Sequence, residues 1–461
     1  MIRVITYGTF DLFHEGHRRL LERAKALGDE LVVGVTSDAY DASRGKLNVS
    51  QPVIDRVKGV RQSGFADRII IEEYDGQKLA DIQKLGIDIF AIGSDWKGDF
   101  DYLQDYCQVV YLDRTRGISS TQLRNAAALL RLGVVGTGHS AARMTAEARS
   151  VSGVDILGAY DPNVALAEEF ARFHELAHSF RHEQELYDRV DAVYVATDES
   201  SRAHFVKRAL AANCHVLCQP PLCHTPAEMH ALYRLAADQG LVLLEAIRPA
   251  FAPAFERLVA AARSGSIGQI RALDVTCCEP SLITDAFANG APDHLTEWLA
   301  YALLPVVKLL GEQPRVIRGS STQPLGGDND QSSRIDLAYS HALASAWVGT
   351  HIVARNELFV SGTTGCIRVP APWWHTEYFE IRSPLDSHDR RIYAKLDGGG
   401  WRHALAEFAS MIREDRLVSF RLRPTDSLAI AHIIEQADLE ILESSHVNDN
   451  CTRHQFGSRP H

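Results

Sequence analysis

The stretch YGTFDLFHEGHRRLLERA, Tyr7 to Ala24, carries two histidines three residues apart with a glycine between them. At that spacing His14 and His17 share one side of an incipient helix. Gly16 lets a phosphate come close to the backbone. Imidazoles held there can donate hydrogen bonds to a phosphoryl group as its charge redistributes. About a hundred residues on, RTRGISSTQLR spans Arg114 to Arg124 after the apolar run QVVYL. It offers two arginines, a turn glycine and three hydroxyls, Ser119, Ser120 and Thr121, at a predicted helix start. Hydroxyls there cap free N–H groups, the positive end of the helix dipole suits a phosphate, and arginine adds charge-assisted bonds. Together the two stretches predict a phosphate-handling site.

A second glycine turn lies in RLGVVGTGHSAARMTAEA. Gly136, Gly138 and Ala141 form G-x-G-x-x-A between a strand and a helix, and Asp161 follows 25 residues after Gly136. That is the pattern of a dinucleotide turn with its ribose-binding acid, and the carboxylate favours NAD over NADP. Other clusters read as structure. Cys214, Cys218 and Cys223, with His215 and His224 among them, lack a zinc-knuckle spacing and read as buried thiols. Cys277 and Cys278 point to opposite faces of a strand. Trp373 and Trp374 read as loop packing, and His294 as a structural histidine.

The elements that must hold these residues fall into three stretches of the 461-residue chain. Strand and helix patterns alternate over 1–128, which predicts a parallel sheet with helices on its faces. The alternation restarts over 129–250. Residues 251–445 read as helices at Ala291–Gly311 and Gly399–Ile412 with strands that alternate like antiparallel ones, and 446–461 as a polar tail. The expected fold is α/β: two Rossmann-like domains, then an α+β domain with an open, mostly antiparallel sheet. The formal charge of −11 argues against a nucleic-acid partner, and no apolar run approaches the ~20 residues that span a bilayer. The N-terminus reads as a strand rather than a signal peptide, so a cytoplasmic protein with reduced cysteines is expected.

YGTFDLFHEGH, GSDWKGDFD and RTRGISSTQLR together resemble the glycerol-3-phosphate cytidylyltransferases of the H-x-G-H nucleotidyltransferase superfamily, over residues 1–125. The resemblance implies transfer of CMP from CTP to a polyol phosphate, with Mg²⁺ on the triphosphate. It implies that His14 and His17 stabilise the transition state, with Arg114 and Lys46 contributing. It places Thr9, Phe10, Gly16, Arg114, Gly117, Ile118, Ser119, Ser120 and Thr121 at the nucleotide. It places Asp11, Arg44, Arg56, Asp95 and Trp96 near the acceptor, Asp11 also being a candidate metal ligand.

Residues 131–461 resemble the glucose–fructose oxidoreductase and inositol dehydrogenase family. The carrying stretches include GVVGTGHSAARM, VDAVYVATDESSRAHFVKRALAANCHVLCQPPL and GTTGCIRVPAPWW. The resemblance implies an NAD(P)-binding Rossmann domain, with Thr197 and His204 near the nicotinamide, and a sheet that pairs subunits into a dimer. It departs at Gln219-Pro220-Pro221, where the family reads Glu-Lys-Pro, so the usual lysine is absent. Counting back from Gly311, Glu297 and Tyr301 stand where the family has an aspartate and a histidine. The expectation is a bifunctional enzyme that makes a CDP-polyol, first CDP-glycerol, for a teichoic-acid-like or capsular polymer. The alternatives are another acceptor, such as ribitol 5-phosphate or a phosphonate, and a rear portion that serves only as a dimerisation scaffold.

Overall fold

The computed structural model describes residues 2–455 except 44–48, 50, 75, 113–128, 152, 224, 280–293, 323–331, 351, 385–388 and 397, and without the side chains of 42, 43, 95, 279, 294, 295 and 442–455. The chain divides into two compact units, Met1–Leu129 with Ser150–Gly153, and Leu130–Arg149 with Val154–His461. No described helix is long and apolar enough to cross a membrane.

The front unit is built on five parallel strands: β1 (Arg3–Gly8), β2 (Glu30–Thr36), β3 (Arg68–Glu72), β4 (Ile89–Gly93) and β5 (Gln108–Leu112). Their order is β3-β2-β1-β4-β5. Period-two alternation along β1 explains why both faces are covered. Val4 packs with Leu21 and Val60 from the helices Glu15–Lys25 and Val53–Gln62. Ile5 and Tyr7 pack on the opposite face with Phe90 and with Ile82 of the helix Gln77–Leu85. Each such buried side chain contributes about 1.5–3 kcal/mol. Between β1 and β4 the strand order reverses, and ligands of open α/β sheets bind outside the carboxyl ends at that point. The loops 9–14 and 94–100 leave the sheet there.

The rear unit holds two sheets. The first is parallel, with β6 (Leu130–Val135), β7 (Val154–Tyr160), β8 (His178–Phe180), β9 (Ala192–Val195), β10 (His215–Cys218) and β11 (Leu243–Glu245) in the order β11-β10-β9-β6-β7-β8. Its order reverses between β6 and β9.

The second sheet has eight strands in the order β13-β14-β15-β12-β16-β17-β18-β19. They are β12 (Ile270–Glu279), β13 (Val316–Ser321), β14 (Ser332–Ala338), β15 (Leu343–Thr350), β16 (Leu358–Gly362), β17 (Cys366–Val369), β18 (Tyr378–Arg382) and β19 (Arg390–Tyr393). Six of its neighbour pairs are antiparallel. The alternating pattern of β12 and β15 suggested the same, yet these two run parallel. The intervening chain includes the apolar helix His294–Leu310, which serves as part of a crossover.

The short β8 and the helix Asp38–Ser43 are among the features that went unread in the sequence. The stretch read as a polar tail also differs, because the helix from Pro424 continues to Gln455. No glycine or proline interrupts that segment after Pro424, so local sequence gives the helix no stop. The described cysteines are free thiols.

Candidate functional sites

In the front unit the site begins where β1 ends. The loop leaves Gly8 through two strained residues, Phe10 (φ 53°) and Leu12 (φ 46°), both in the left-handed region that side chains disfavour. His14 then caps the helix Glu15–Lys25. Its Nδ1 accepts the Gly16 N–H at 3.0 Å, so the neutral ring carries its proton on Nε2. The His14 and His17 rings stack at 3.8 Å with an interplanar angle of 24°. Phe10 meets the His17 ring edge-on at 5.4 Å, and Phe13 lies 5.7 Å from it. Two imidazoles are thereby locked side by side at a helix N-terminus, an arrangement suited to an anionic phosphate.

The loop is pinned from below by Arg56, whose side chain is fully buried. Its guanidinium donates to the carbonyls of Thr9 at 2.6 Å, Thr36 at 2.8 Å and Gln51 at 2.9 Å. It also pairs with Asp38 at 2.5 Å and with the buried Asp41 at 3.4 Å. Thr9 Oγ1 donates to Asp41 at 3.0 Å. Asp11 accepts the Gln51 N–H at 3.0 Å, and Gln51 accepts the Leu12 N–H at 3.0 Å. Arg56, expected to touch the acceptor, therefore acts as a positioning residue that ties the histidine loop to β2. Phe10, expected at the nucleotide, is only 2% exposed and supports His17 from the core side. Trp96 is 40% exposed, with its ring 6.0 Å from that of Phe100. Arg44, Lys46, Arg114, Gly117, Ile118, Ser119, Ser120, Thr121 and the side chain of Asp95 lie outside the described residues.

In the rear unit the glycine turn opens at the carboxyl end of β6. Gly136 has φ +92°, and a Cβ there would lie 2.4 Å from the Ala196 carbonyl oxygen at the end of β9. Gly138 caps the helix His139–Ala148 and faces open space. That combination of close packing below and clearance above fits a dinucleotide pyrophosphate. Ala141 is fully buried against the sheet. The Asp161 carboxylate accepts from Thr137 N at 3.1 Å, Thr137 Oγ1 at 2.8 Å and Asn163 N at 2.9 Å. Thr197 follows β9, and its carbonyl accepts a bond from the buried Arg202 at 2.9 Å. His204 is exposed on the helix Glu199–Ala211.

A polar chain stands beside this turn. Gln219 Nε2 donates to Glu297 Oε2 at 3.1 Å, and Tyr301 OH donates to Glu297 Oε1 at 3.2 Å. Arg248 Nε donates to the Tyr301 oxygen at 2.6 Å, and its Nη1 to the Gly399 carbonyl at 2.9 Å. The guanidinium lies over the Trp401 ring at 3.7 Å, a desolvated cation–π contact. Burial opposes the charge on Arg248, but Tyr301 and Glu297 outweigh it and hold its pKa above the ordinary value. Burial pushes the Tyr301 hydroxyl well up, so it stays protonated. Among the described residues no group of three metal-ligating side chains converges.

Residues 5–126 match the family profile described as Cytidylyltransferase-like. A glycerol-3-phosphate cytidylyltransferase of Bacillus spizizenii is 49% identical over 131 residues, which are 28% of this chain and 100% of that protein. The chain belongs to the glycerol-3-phosphate cytidylyltransferase family. Its cytidylyltransferase unit is a nucleotidyltransferase, and the remainder is of a different lineage. Residues 130–246 match the profile described as Oxidoreductase family, NAD-binding Rossmann fold. A scyllo-inositol 2-dehydrogenase (NADP(+)) of Bacillus subtilis is 25% identical over 321 residues, 67% of this chain and 96% of that protein. The solved UDP-N-acetylglucosamine 3-dehydrogenase of Acidithiobacillus ferrooxidans shares the fold, with a TM-score of 0.57 at 19% identity, covering 68% of this chain and 97% of that one. Behind the cytidylyltransferase unit, then, stands an NAD(P)-binding oxidoreductase domain.

Sequence reading had missed three residues that the geometry brings forward. Arg202 and Arg248 were legible only as charges inside apolar or helical runs, such as LLEAIRPAF. Lys78, buried in the cytidylyltransferase unit, pairs with Glu72 and lies 4.9 Å over the Tyr7 ring. It gave no local signal, since its partners come from other elements.

Proposed function

We propose that the front unit transfers CMP from CTP to a polyol phosphate, first glycerol 3-phosphate, giving a CDP-polyol and pyrophosphate. The observation that carries this reading is the stacked His14–His17 pair at a helix N-terminus, at the carboxyl edge where the strand order reverses. The relative from Bacillus spizizenii, matched over its whole length, is a glycerol-3-phosphate cytidylyltransferase, which supports glycerol 3-phosphate as the first acceptor to test. In this mechanism a phosphate oxygen of the acceptor attacks the α-phosphorus in line, one P–O bond forms, and the bond to pyrophosphate breaks. The protein contributes positioning and charge stabilisation, with no covalent intermediate. His14 Nε2–H and His17 donate to the α-phosphate oxygens as negative charge builds. Mg²⁺ bound with the triphosphate would neutralise charge, and Asp11, which accepts the Gln51 N–H, is the carboxylate of the loop that would help to hold it. The resemblance assigns the remaining nucleotide and acceptor contacts to Arg114, Gly117–Thr121, Lys46, Arg44, Asp95 and Trp96.

The rear unit holds the dinucleotide, with Gly136 and Gly138 at the pyrophosphate, Asp161 at the ribose and Thr197 and His204 toward the nicotinamide. Asp161 disfavours a 2′-phosphate and so favours NAD. The whole serves a cytoplasmic pathway to a polyol-phosphate polymer, with the eight-stranded sheet as the dimer face. The test is to incubate the full chain with CTP, Mg²⁺ and a panel of polyol phosphates and to measure pyrophosphate. Glycerol 3-phosphate should give release, and His17→Ala should lower it about 10²–10³-fold with an unchanged circular dichroism spectrum. Silence with every acceptor from a folded sample would remove the assignment.

A further inference from the structure

The histidine loop of the front unit is held residue by residue. Arg56 fixes Thr9 through its carbonyl at 2.6 Å, and the core encloses Phe10. The next two anchors both come from Gln51. Its backbone N–H donates to Asp11 Oδ1 at 3.0 Å, and its side-chain Oε1 accepts the Leu12 N–H at 3.0 Å. Its own carbonyl accepts from Arg56 Nε at 2.9 Å. Gln51 is therefore placed by its main chain. Among the described residues its side chain is left with one partner, the Leu12 amide.

That amide needs its acceptor. Leu12 sits at φ 46°, a conformation that side chains disfavour and that persists only where neighbours impose it. The two residues that follow carry the consequence. Phe13 is seated on the helix Val53–Gln62, where a Cβ on Gly59 would lie 2.7 Å from the Phe13 Cβ. Its ring lies 5.7 Å from that of His17. His14 caps the helix Glu15–Lys25 and stacks on His17 at 3.8 Å. A backbone that relaxes at Leu12 turns both residues away from His17. Misplacing a catalytic group by about 1 Å can cost about 10²-fold in rate.

We propose that Gln51 is a positioning residue of the cytidylyl transfer. Its amide oxygen holds Leu12 in the left-handed conformation, and that conformation keeps the His14–His17 pair in register with the α-phosphate. Gln51 acts through the loop and touches no substrate. It differs in kind from Arg56. Arg56 also pairs with the buried Asp41, so its removal disturbs the fold, whereas the Gln51 amide carries no charge and its main-chain bonds to Asp11 and Arg56 survive any change of side chain. The proposal rests on the reading that the front unit transfers CMP, and the test separates the two.

The full chain is assayed with CTP, Mg²⁺ and glycerol 3-phosphate, following pyrophosphate. The imidazole signals of a histidine-labelled sample are recorded by NMR without any nucleotide. Gln51→Met keeps the side-chain length and removes the acceptor. It should lower kcat about 10–100-fold, leave KM for CTP within about threefold, and shift the His14 and His17 signals. Gln51→Glu still offers an oxygen to the Leu12 N–H. At saturating CTP, where a cost of its charge to binding drops out, its kcat should stay within about fivefold of the wild type. If Gln51→Met aggregates, Gln51→Asn decides, because its amide is one methylene short of Leu12: a folded protein at least about tenfold slower supports the role, and one at the wild-type rate overturns it. A Met variant with kcat intact, a Glu variant as slow as the Met one, or imidazole signals that stay put while kcat falls would each overturn it. Any of these beside an active wild type sinks the role of Gln51 and leaves the transfer reading standing. A wild type silent with every acceptor removes both.

Discussion

Arg56 shows how burial decides a residue's job. An arginine beside a phosphate-handling loop invites the idea of a phosphate contact, yet this one spends its donors on Thr9, Thr36 and Gln51 carbonyls and on Asp38 and Asp41. Lysine would keep the charge but has no planar fork with which to reach several carbonyls at once. Removing the cation takes the Arg56 ion pair away from the buried Asp41, and breaking a buried pair typically costs about 3–5 kcal/mol. Arg56→Ala should therefore destabilise the front unit by that order, read by denaturant unfolding. Arg56→Lys should survive better but lose kcat more than CTP affinity, because the histidine loop drifts. An equal rise in KM for the acceptor with kcat untouched would instead mean that Arg56 reaches the substrate. The pairing of His14 with His17 on one side of the helix start was legible from spacing alone. The roles of Arg56 and Phe10 were not, since those depend on which side of the loop faces the core.

At the scale of elements, the glycine turn was readable because strand, turn and helix are contiguous and the required conformations are local. Gly136 sits at φ +92°, and a methyl there would press on the Ala196 carbonyl at 2.4 Å. Backbone cannot swing aside as a side chain can. Gly136→Ala should lower the stability of the rear unit by about 1–3 kcal/mol and abolish NADH binding, measured by fluorescence titration. Normal NADH affinity in that variant would show that the turn does not hold the pyrophosphate. The parallel pairing of β12 with β15 was not legible. Both strands alternate as antiparallel ones do, and their direction is set by a crossover many residues long. The Lys308–Asp426 pair, buried and 118 residues apart in sequence, is likewise a product of packing. So is the chain from Gln219 to Arg248, although counting back from Gly311 did single out Glu297 and Tyr301.

For the whole molecule, two separately packed units with different ligands imply separable stabilities. A ligand that binds only the native form of one unit stabilises that unit alone, by about 2.7 kcal/mol at a hundredfold excess over Kd. CTP with Mg²⁺ should move one calorimetric transition upward and NADH the other, with little cross-effect. Acidity should mark the rear one. Burial holds His215 below the ordinary histidine pKa, against smaller opposing effects of Asp191 and Asp415, and its Nδ1 accepts the Val242 N–H at 3.0 Å. The unfolded chain protonates near pH ~6.5, whereas the folded ring stays neutral to lower pH. This contribution is complete above pH ~6.5 and is lost as pH falls through the folded value, because the unfolded state then binds the extra proton. The NADH-sensitive transition of the wild type should thus fall more on acidification than that of His215→Asn, whose amide oxygen can still accept from Val242. A single transition shifted equally by both nucleotides would mean that the two units unfold as one cooperative body.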